Sequence, residues 1–301
     1  MELIPQGESI LIQGGILALA ILSLLVSWWA GRAGSPVLAI ISRWLRWIFI
    51  AILMAGAVYV FGWTGYRFGV LFFVAMLAWF LVETAYNWLA ISTLSRSELP
   101  LFPKFEENDG GEEWPTDNRF LKLKDWLSAN GFSRRQALIS HLEDLVLMRV
   151  SVYENKDQTI RLHVLFLPNA RGSTAVCFTC YSSTRLGDCI VTDNVFLPFG
   201  GFYPENWDVE RRPWTRALSS LVERHRARID AKAEVLMPFV TSPLEQINED
   251  QRQVELLNRD LGFLNKRAEE TELGRLTTAG KARIWQEIWT LAYLGLPLSY
   301  N

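Results

Sequence analysis

Residues 9–31 read SILIQGGILALAILSLLVSWWAG, 23 positions without a charge. At about 1.5 Å of helix per residue, this run covers the roughly 30 Å hydrocarbon layer of a bilayer. A cleaved signal peptide needs a basic start, a shorter apolar core and a small-residue cleavage site. Here the preceding MELIPQGES carries acids and no base, and the run closes on Trp28-Trp29. The stretch therefore predicts a retained membrane span.

Two further apolar stretches follow. One covers about 47–63, inside a charge-free window between Arg46 and Arg67; the other covers about 68–91, interrupted only by Glu83. The four residues Thr64 to Arg67 between them suit a tight antiparallel hairpin. Trp28, Trp29, Trp44, Trp47, Trp63, Tyr66, Tyr86 and Trp88 gather at the expected span ends. Amphipathic rings prefer the headgroup level, so such clusters mark interfaces. Three spans are expected, with two spans plus one interfacial segment as the competing reading.

Basic residues set the orientation. Arg32, Arg43, Arg46, Arg96 and Lys104 fall on one side of a three-span arrangement, and only Arg67 on the other. The positive-inside bias then places the N-terminus outside and the remainder of the chain in the cytoplasm. Two features of the membrane region carry functional interest. Arg43 and Arg46 alternate with apolar residues in PVLAIISRWLRW (36–47), which fits either an interfacial helix meeting anionic lipid or the snorkelling end of the second span. Glu83 and Asn87 share one face of the third span, and an acid inside the bilayer is a candidate for ion handling or for an interhelical hydrogen bond.

Residues 92–117 hold three prolines, a Gly-Gly pair and many acids, and read as a linker. Residues 118–301 read as a soluble α+β domain. FLKLKDWLSAN makes a short helix stopped by Gly131, and Ser133-x-x-Gln136 has the form of a capping box for a second helix to about Leu145. VLMRVSVYE (146–154) and TIRLHVLFL (159–167) alternate with period two, and STAVCFTCYS (173–182) and DCIVTDNVF (188–196) continue in strand style. Short connections, including a break at Pro168 to Gly172, argue for a four-stranded antiparallel meander. Beyond it, helices are expected at about 214–229, ending in Arg224, His225, Arg226 and Arg228, and then at 243–268 and 277–294. The last two form an expected C-terminal helical hairpin. Ile247, Val254, Leu257, Leu261, Leu264 and Ala268 approach a heptad, with Asp250 in one seam position, so an oligomer seam competes with packing inside the domain.

The bulk numbers narrow the function. A net charge of −2 over 301 residues lacks the basic face a general nucleic-acid binder needs. Three cysteines make no disulfide framework, in keeping with a reducing compartment. Cys177 and Cys180 form a C-x-x-C, but within a strand positions i and i+3 point to opposite faces, so buried structural thiols are expected rather than a metal or redox pair. Cys180 and Cys189 would face each other across the hairpin if its loop held four residues, although a disulfide is unusual in the cytoplasm. His141, His163 and His225 sit in no nucleophile–base context, and His225 reads as part of a solvated basic helix. There is no P-loop, G-x-G-x-x-G, G-x-S-x-G or H-E-x-x-H. No catalytic, metal-binding or cofactor-binding residue is therefore assigned, and no cofactor is expected.

The expected function is a membrane-anchored cytoplasmic adaptor or sensor that binds a protein partner or itself. A membrane-tethered enzyme and an oligomeric channel subunit are the rivals. LPFGGFYPENWDVERRPW (197–214) reads either as a packed connector between sheet and helix or as the binding element, with Phe199, Phe202, Tyr203 and Trp207 as its aromatic surface; the Arg224–His225–Arg226 cluster meeting acidic lipid is the other candidate.

Overall fold

The computed structural model describes residues 6–33, 35–110, 114–115, 118–143, 146–168, 174–298 and 300. Most of the break expected after Pro168, parts of the linker (111–113 and 116–117) and the expected helix end at Leu145 lie outside these residues. The chain divides into two compact units, one of Met1–Ile91 with Ile288–Leu296, the other of Ser92–Glu287 with Pro297–Asn301.

The first unit contains α1 (Gln6–Ala33), α2 (Pro36–Val60) and most of α3 (Phe68–Arg96). All three are long and apolar enough to cross a membrane. Leu24, Phe73 and Leu89 stand outward on them, as side chains facing lipid do. The arginine-bearing stretch 36–46 is continuous with the rest of α2. Ser35 caps α2 by accepting from Leu38 N at 3.5 Å, and Pro36 occupies the first turn, where its missing N–H costs nothing. The helix stops at Val60, and Gly62 takes φ +64 in the turn that follows. Ala51, Ala55 and Gly56 are buried, small side chains that let helices approach closely, and a Cβ on Gly56 would rest 3.9 Å from Ile16. The C-terminal piece of this unit ends in a π-helical turn, Thr290–Leu294, closed by Gly295 at φ +67.

The second unit is built on a sheet with eight strands among the described residues: β1 (Glu106–Glu107), β2 (Ser133–Glu143), β3 (Val146–Glu154), β4 (Arg161–Pro168), β5 (Thr174–Thr184), β6 (Cys189–Asp193), β7 (Trp207–Arg211) and β8 (Leu236–Met237). Strands β1 to β7 lie in chain order and β8 pairs with the end of β5. All neighbours run antiparallel except β6 and β7, which are parallel. The expected β3–β6 meander is present at its centre, in a larger and mixed sheet.

The expected helix at 133–145 is corrected to β2. Its apparent capping box is used elsewhere: Ser133 Oγ lies 3.5 Å from Glu154 O across the strand pair, and Gln136 Oε1 accepts from Leu244 N at 3.1 Å. The period-two signal was blurred because β2 carries a register shift between Arg134 and Gln136.

Helices cover both faces. α4 (Asn118–Ala129) and α5 (Leu218–Lys232) place Phe120, Leu127, Leu218, Leu221 and Val222 on Leu162, Val164, Phe166, Phe178 and Cys180. On the other face, α6 (Pro243–Asp260) sets Ile247 on Leu138, Val150 and Val152, and Val254 on Val191 and Trp207. Two residues of the heptad, Ile247 and Val254, therefore face the sheet, whereas Leu261 is exposed. The helix ends earlier than expected, because Gly262 at φ +72 turns the chain and Phe263 N closes the helix on Asn258 O at 2.9 Å. The short α7 (Glu270–Leu273) leads to α8 (Thr278–Trp289). Before it, Gly274 (φ +80) lies against Ser95 in the last turn of α3, where a Cβ would come within 2.6 Å of Ser95 Oγ.

The thiols follow strand geometry. Cys180 faces α5, and Cys177 pairs with Leu165, whose side chain packs on the α6 face. Cys180 lies opposite Thr192 and Cys189 opposite Ser183, so Cys180 and Cys189 do not face each other. Burial pushes the Cys177 thiol up to about 11 and that of Cys180 to about 12.

Candidate functional site

The aromatic loop at 197–214 is a packed connector around a buried charge cluster. Glu287 of α8, fully buried, accepts from Phe199 N at 2.7 Å, from Gly200 N, and from Tyr300 Oη at 2.5 Å. Gly200 has φ +68 and lies so close to α8 that a Cβ would come within 2.6 Å of Ile284. Arg211 donates to Asp193 at 2.9 Å and to Tyr300 Oη at 2.9 Å. Burial works against the Arg211 charge, but Asp193, Tyr203 and Tyr300 raise its pKa above the usual arginine range. Phe199 stacks on Tyr203 and Tyr203 on Trp207, with centroids 5.0 and 5.7 Å apart. Phe202 N donates to Asn258 Oδ1 at 2.8 Å, and Arg283 lies 3.8 Å over the Phe202 ring. Of the four expected aromatics, Trp207 is buried and the others are half-buried, turned into the fold by these contacts.

The basic helix is corrected as well. His225 is fully buried under the sheet, its Nε2 3.0 Å from Ser182 Oγ and its Nδ1 2.9 Å from Thr192 Oγ1. Burial, then the nearby Arg228, depress its pKa to about 3, so the ring is neutral. Arg224 pairs with Glu210 at 2.9 Å, Arg228 pairs with Asp208 at 2.6 Å, and Arg226 is exposed. Arg224 and Arg228 tie α5 to β7.

An open groove of about 750 Å³ lies between Phe102–Lys104 and α6. Its walls are held: Asn248 accepts from Phe105 N at 2.8 Å and donates to Phe105 O at 2.9 Å, clipping the extended segment onto the helix. Glu245, Glu249, Asp250 and Glu255 face Lys104 and Arg252, four acids against two bases. Glu249 is bridged to Arg252 at 2.7 Å and Glu255 to Arg259 at 2.9 Å. The sequence reading missed this groove; its one signal was Asp250 in a seam position.

Burial raises the Asp250 carboxyl to about 7, against 3.8 for a free one, with Arg161 opposing. The folded chain thus holds this proton more tightly. The stability it confers is complete below about pH 4 and is lost as pH rises through 7. Asp250→Asn should remove that loss. Its melting temperature should exceed the wild type's by a margin that opens above pH 4 and levels off above pH 7, worth on the order of 2 kcal/mol after discounting for groove water. Equal melting temperatures at pH 8 would contradict this.

In the first unit, Glu83 accepts from Trp47 Nε1 at 2.7 Å and from Tyr293 Oη. Trp44 Nε1 donates to Tyr293 O at 3.0 Å, and Trp289 stacks on Tyr293 with centroids 4.6 Å apart. The Arg43 guanidinium carbon lies 5.9 Å from the Tyr293 ring centroid. Arg46 is exposed; Asn87, one turn beyond Glu83, is half-buried and does not bond Glu83 among the described residues. Glu83 is thus covered by aromatic donors. Comparison with protein-family models, curated proteins and solved structures gives no match to this chain.

Proposed function

We propose that the chain is a membrane-anchored adaptor or sensor whose soluble unit lies in the cytoplasm and binds a basic peptide segment of a protein partner in the groove along α6. The observation that carries this reading is the groove itself, held by the Asn248 clip and lined by Glu245, Glu249 and Glu255 against Lys104 and Arg252, with Asp250 adding a further charge as pH rises past about 7. A preformed wall loses little entropy on binding, and an acidic lining selects partners by charge. The buried polar groups of the loop, by contrast, are spent on each other.

The test uses the full chain in nanodiscs with two probes, oligolysine and oligoglutamate. Oligolysine should bind and oligoglutamate should not, and Glu245→Lys with Glu249→Lys should weaken oligolysine roughly five-fold. Equal binding of the two probes, or an unaffected double variant, would sink the groove. For orientation, Glu270→Cys in intact cells should resist an impermeant thiol reagent beyond the wild-type background. Labelling from outside would reverse the topology.

A further inference from the structure

Arg43 is a cation at membrane depth that makes no hydrogen bond to the nearby Glu83 carboxylate among the described residues. It lies 17 residues from the far end of α2 at Val60, about 26 Å of helix out of a roughly 30 Å hydrocarbon layer. That places it just under the phosphate layer. Both oxygens of the nearby Glu83 carboxylate are taken by neutral donors, Oε2 by Trp47 and Oε1 by Tyr293. Arg43 Nη1 is shielded from solvent and has no hydrogen-bond partner among the described residues. The Tyr293 ring beside it is held by Glu83, Trp44 and Trp289, so it packs against the guanidinium without offering it an anion.

A buried guanidinium N–H without an acceptor is costly, more so near hydrocarbon. The acceptor available at this depth is the phosphate of a lipid, which a planar guanidinium meets in bidentate fashion. Arg46, less than one turn further along α2, is exposed, and Arg32 lies at the adjoining end of α1 over the Trp28 ring at 5.2 Å. Together they make that end of the unit cationic.

We infer that Arg43, with Arg46 beside it, forms a binding site for the phosphate of an anionic phospholipid at the Arg43 end of the membrane helices. The site rests on the reading of α1–α3 as membrane spans. Phosphate enters from the lipid side, and Tyr293 forms the back of the site.

The experiment reconstitutes the full chain in nanodiscs of phosphatidylcholine mixed with phosphatidylglycerol and counts retained lipids by native mass spectrometry. Wild type should retain phosphatidylglycerol about five-fold over phosphatidylcholine, the ratio expected for one arginine near the surface. Arg43→Gln should abolish the preference, Arg43→Lys should keep part of it, and Glu83→Gln should keep it, since that carboxylate is not the partner of Arg43. Should Arg43→Gln not fold, Arg46→Gln on the exposed side serves in its place and should lower the ratio. Equal retention of the two headgroups by wild type overturns the site, as does a preference that survives both arginine variants. Displacement of the retained lipid by inorganic phosphate alone also overturns it, because the ligand would then be the free anion. A chain released from membranes by alkaline carbonate refutes the spanning reading itself. A chain that stays in the membrane without headgroup preference refutes only the phosphate site.

Discussion

Replacing Glu287 by alanine is expected to cost the sheet unit about 3 to 5 kcal/mol, the range for removing one member of a buried charge cluster. Three donors lose their acceptor at once: Phe199 N, Gly200 N and the Tyr300 hydroxyl. Arg211 keeps Asp193 but loses the second negative charge 3.7 Å away. The loop cannot follow the missing side chain inward, since Gly200 already lies against Ile284. The orphaned groups lie away from bulk solvent, because Glu287, Asp193 and Arg211 are all buried. Glu287→Gln should cost less, as it keeps one acceptor oxygen for the backbone donors. The measurement is denaturant unfolding of the full chain in detergent, followed by tryptophan fluorescence. Exposed Glu272→Ala serves as the control and should leave the midpoint in place. A Glu287→Ala midpoint equal to that control would show the cluster to be dispensable.

The three long apolar helices were legible because each is one long apolar run, as crossing a bilayer demands, a pattern written into consecutive residues. Strands β3 to β6 were legible for a similar reason, since the pleat repeats every two residues. What escaped were the polar side chains buried on helical stripes. Leu218, Leu221, Val222 and His225 follow the i, i+3, i+4, i+7 spacing, so His225 continues an apolar face although its neighbours in sequence are arginines. Gly280, Ile284, Glu287 and Leu291 make the same kind of stripe. Asp250 stands between Ile247 and Val254 in a third. The position of each polar residue was therefore visible. Its partner was not, because Ser182, Thr192, Arg211 and Tyr300 come from distant stretches that only the completed sheet brings together. The ring of donors around Glu83 was hidden in the same way, with Tyr293 lying 210 residues further along the chain.

Acid lability is the second large effect expected, and its slope can be assigned group by group. His225 and His163 are buried, and burial lowers both to about 3 from 6.5; Arg228 adds to the effect at His225 and Arg161 at His163. A base held neutral in the fold contributes stability that is present above 6.5 and lost as pH falls towards 3. Each such histidine lowers stability by about 1.4 kcal/mol per pH unit in that window. Asp250 acts in the opposite direction, because the folded chain keeps its proton up to about pH 7. Between about pH 4 and 6.5 the unfolded chain therefore binds two protons that the folded chain does not, and releases one that it does. These three groups leave a net loss of about 1.4 kcal/mol per pH unit on acidification. Asp250→Asn should double that slope while raising stability at neutral pH. His163→Leu should bring the slope close to zero. The His163 ring lies 4.7 Å from Tyr181 with Nε2 buried and without a hydrogen-bond partner among the described residues, so an apolar residue of similar volume forfeits no hydrogen bond of that nitrogen. Melting temperatures of the three proteins across pH 4 to 8 decide the matter. A wild-type slope shared by His163→Leu would mean that His163 takes up its proton inside the fold, and the buried neutral ring would be the wrong description of that strand.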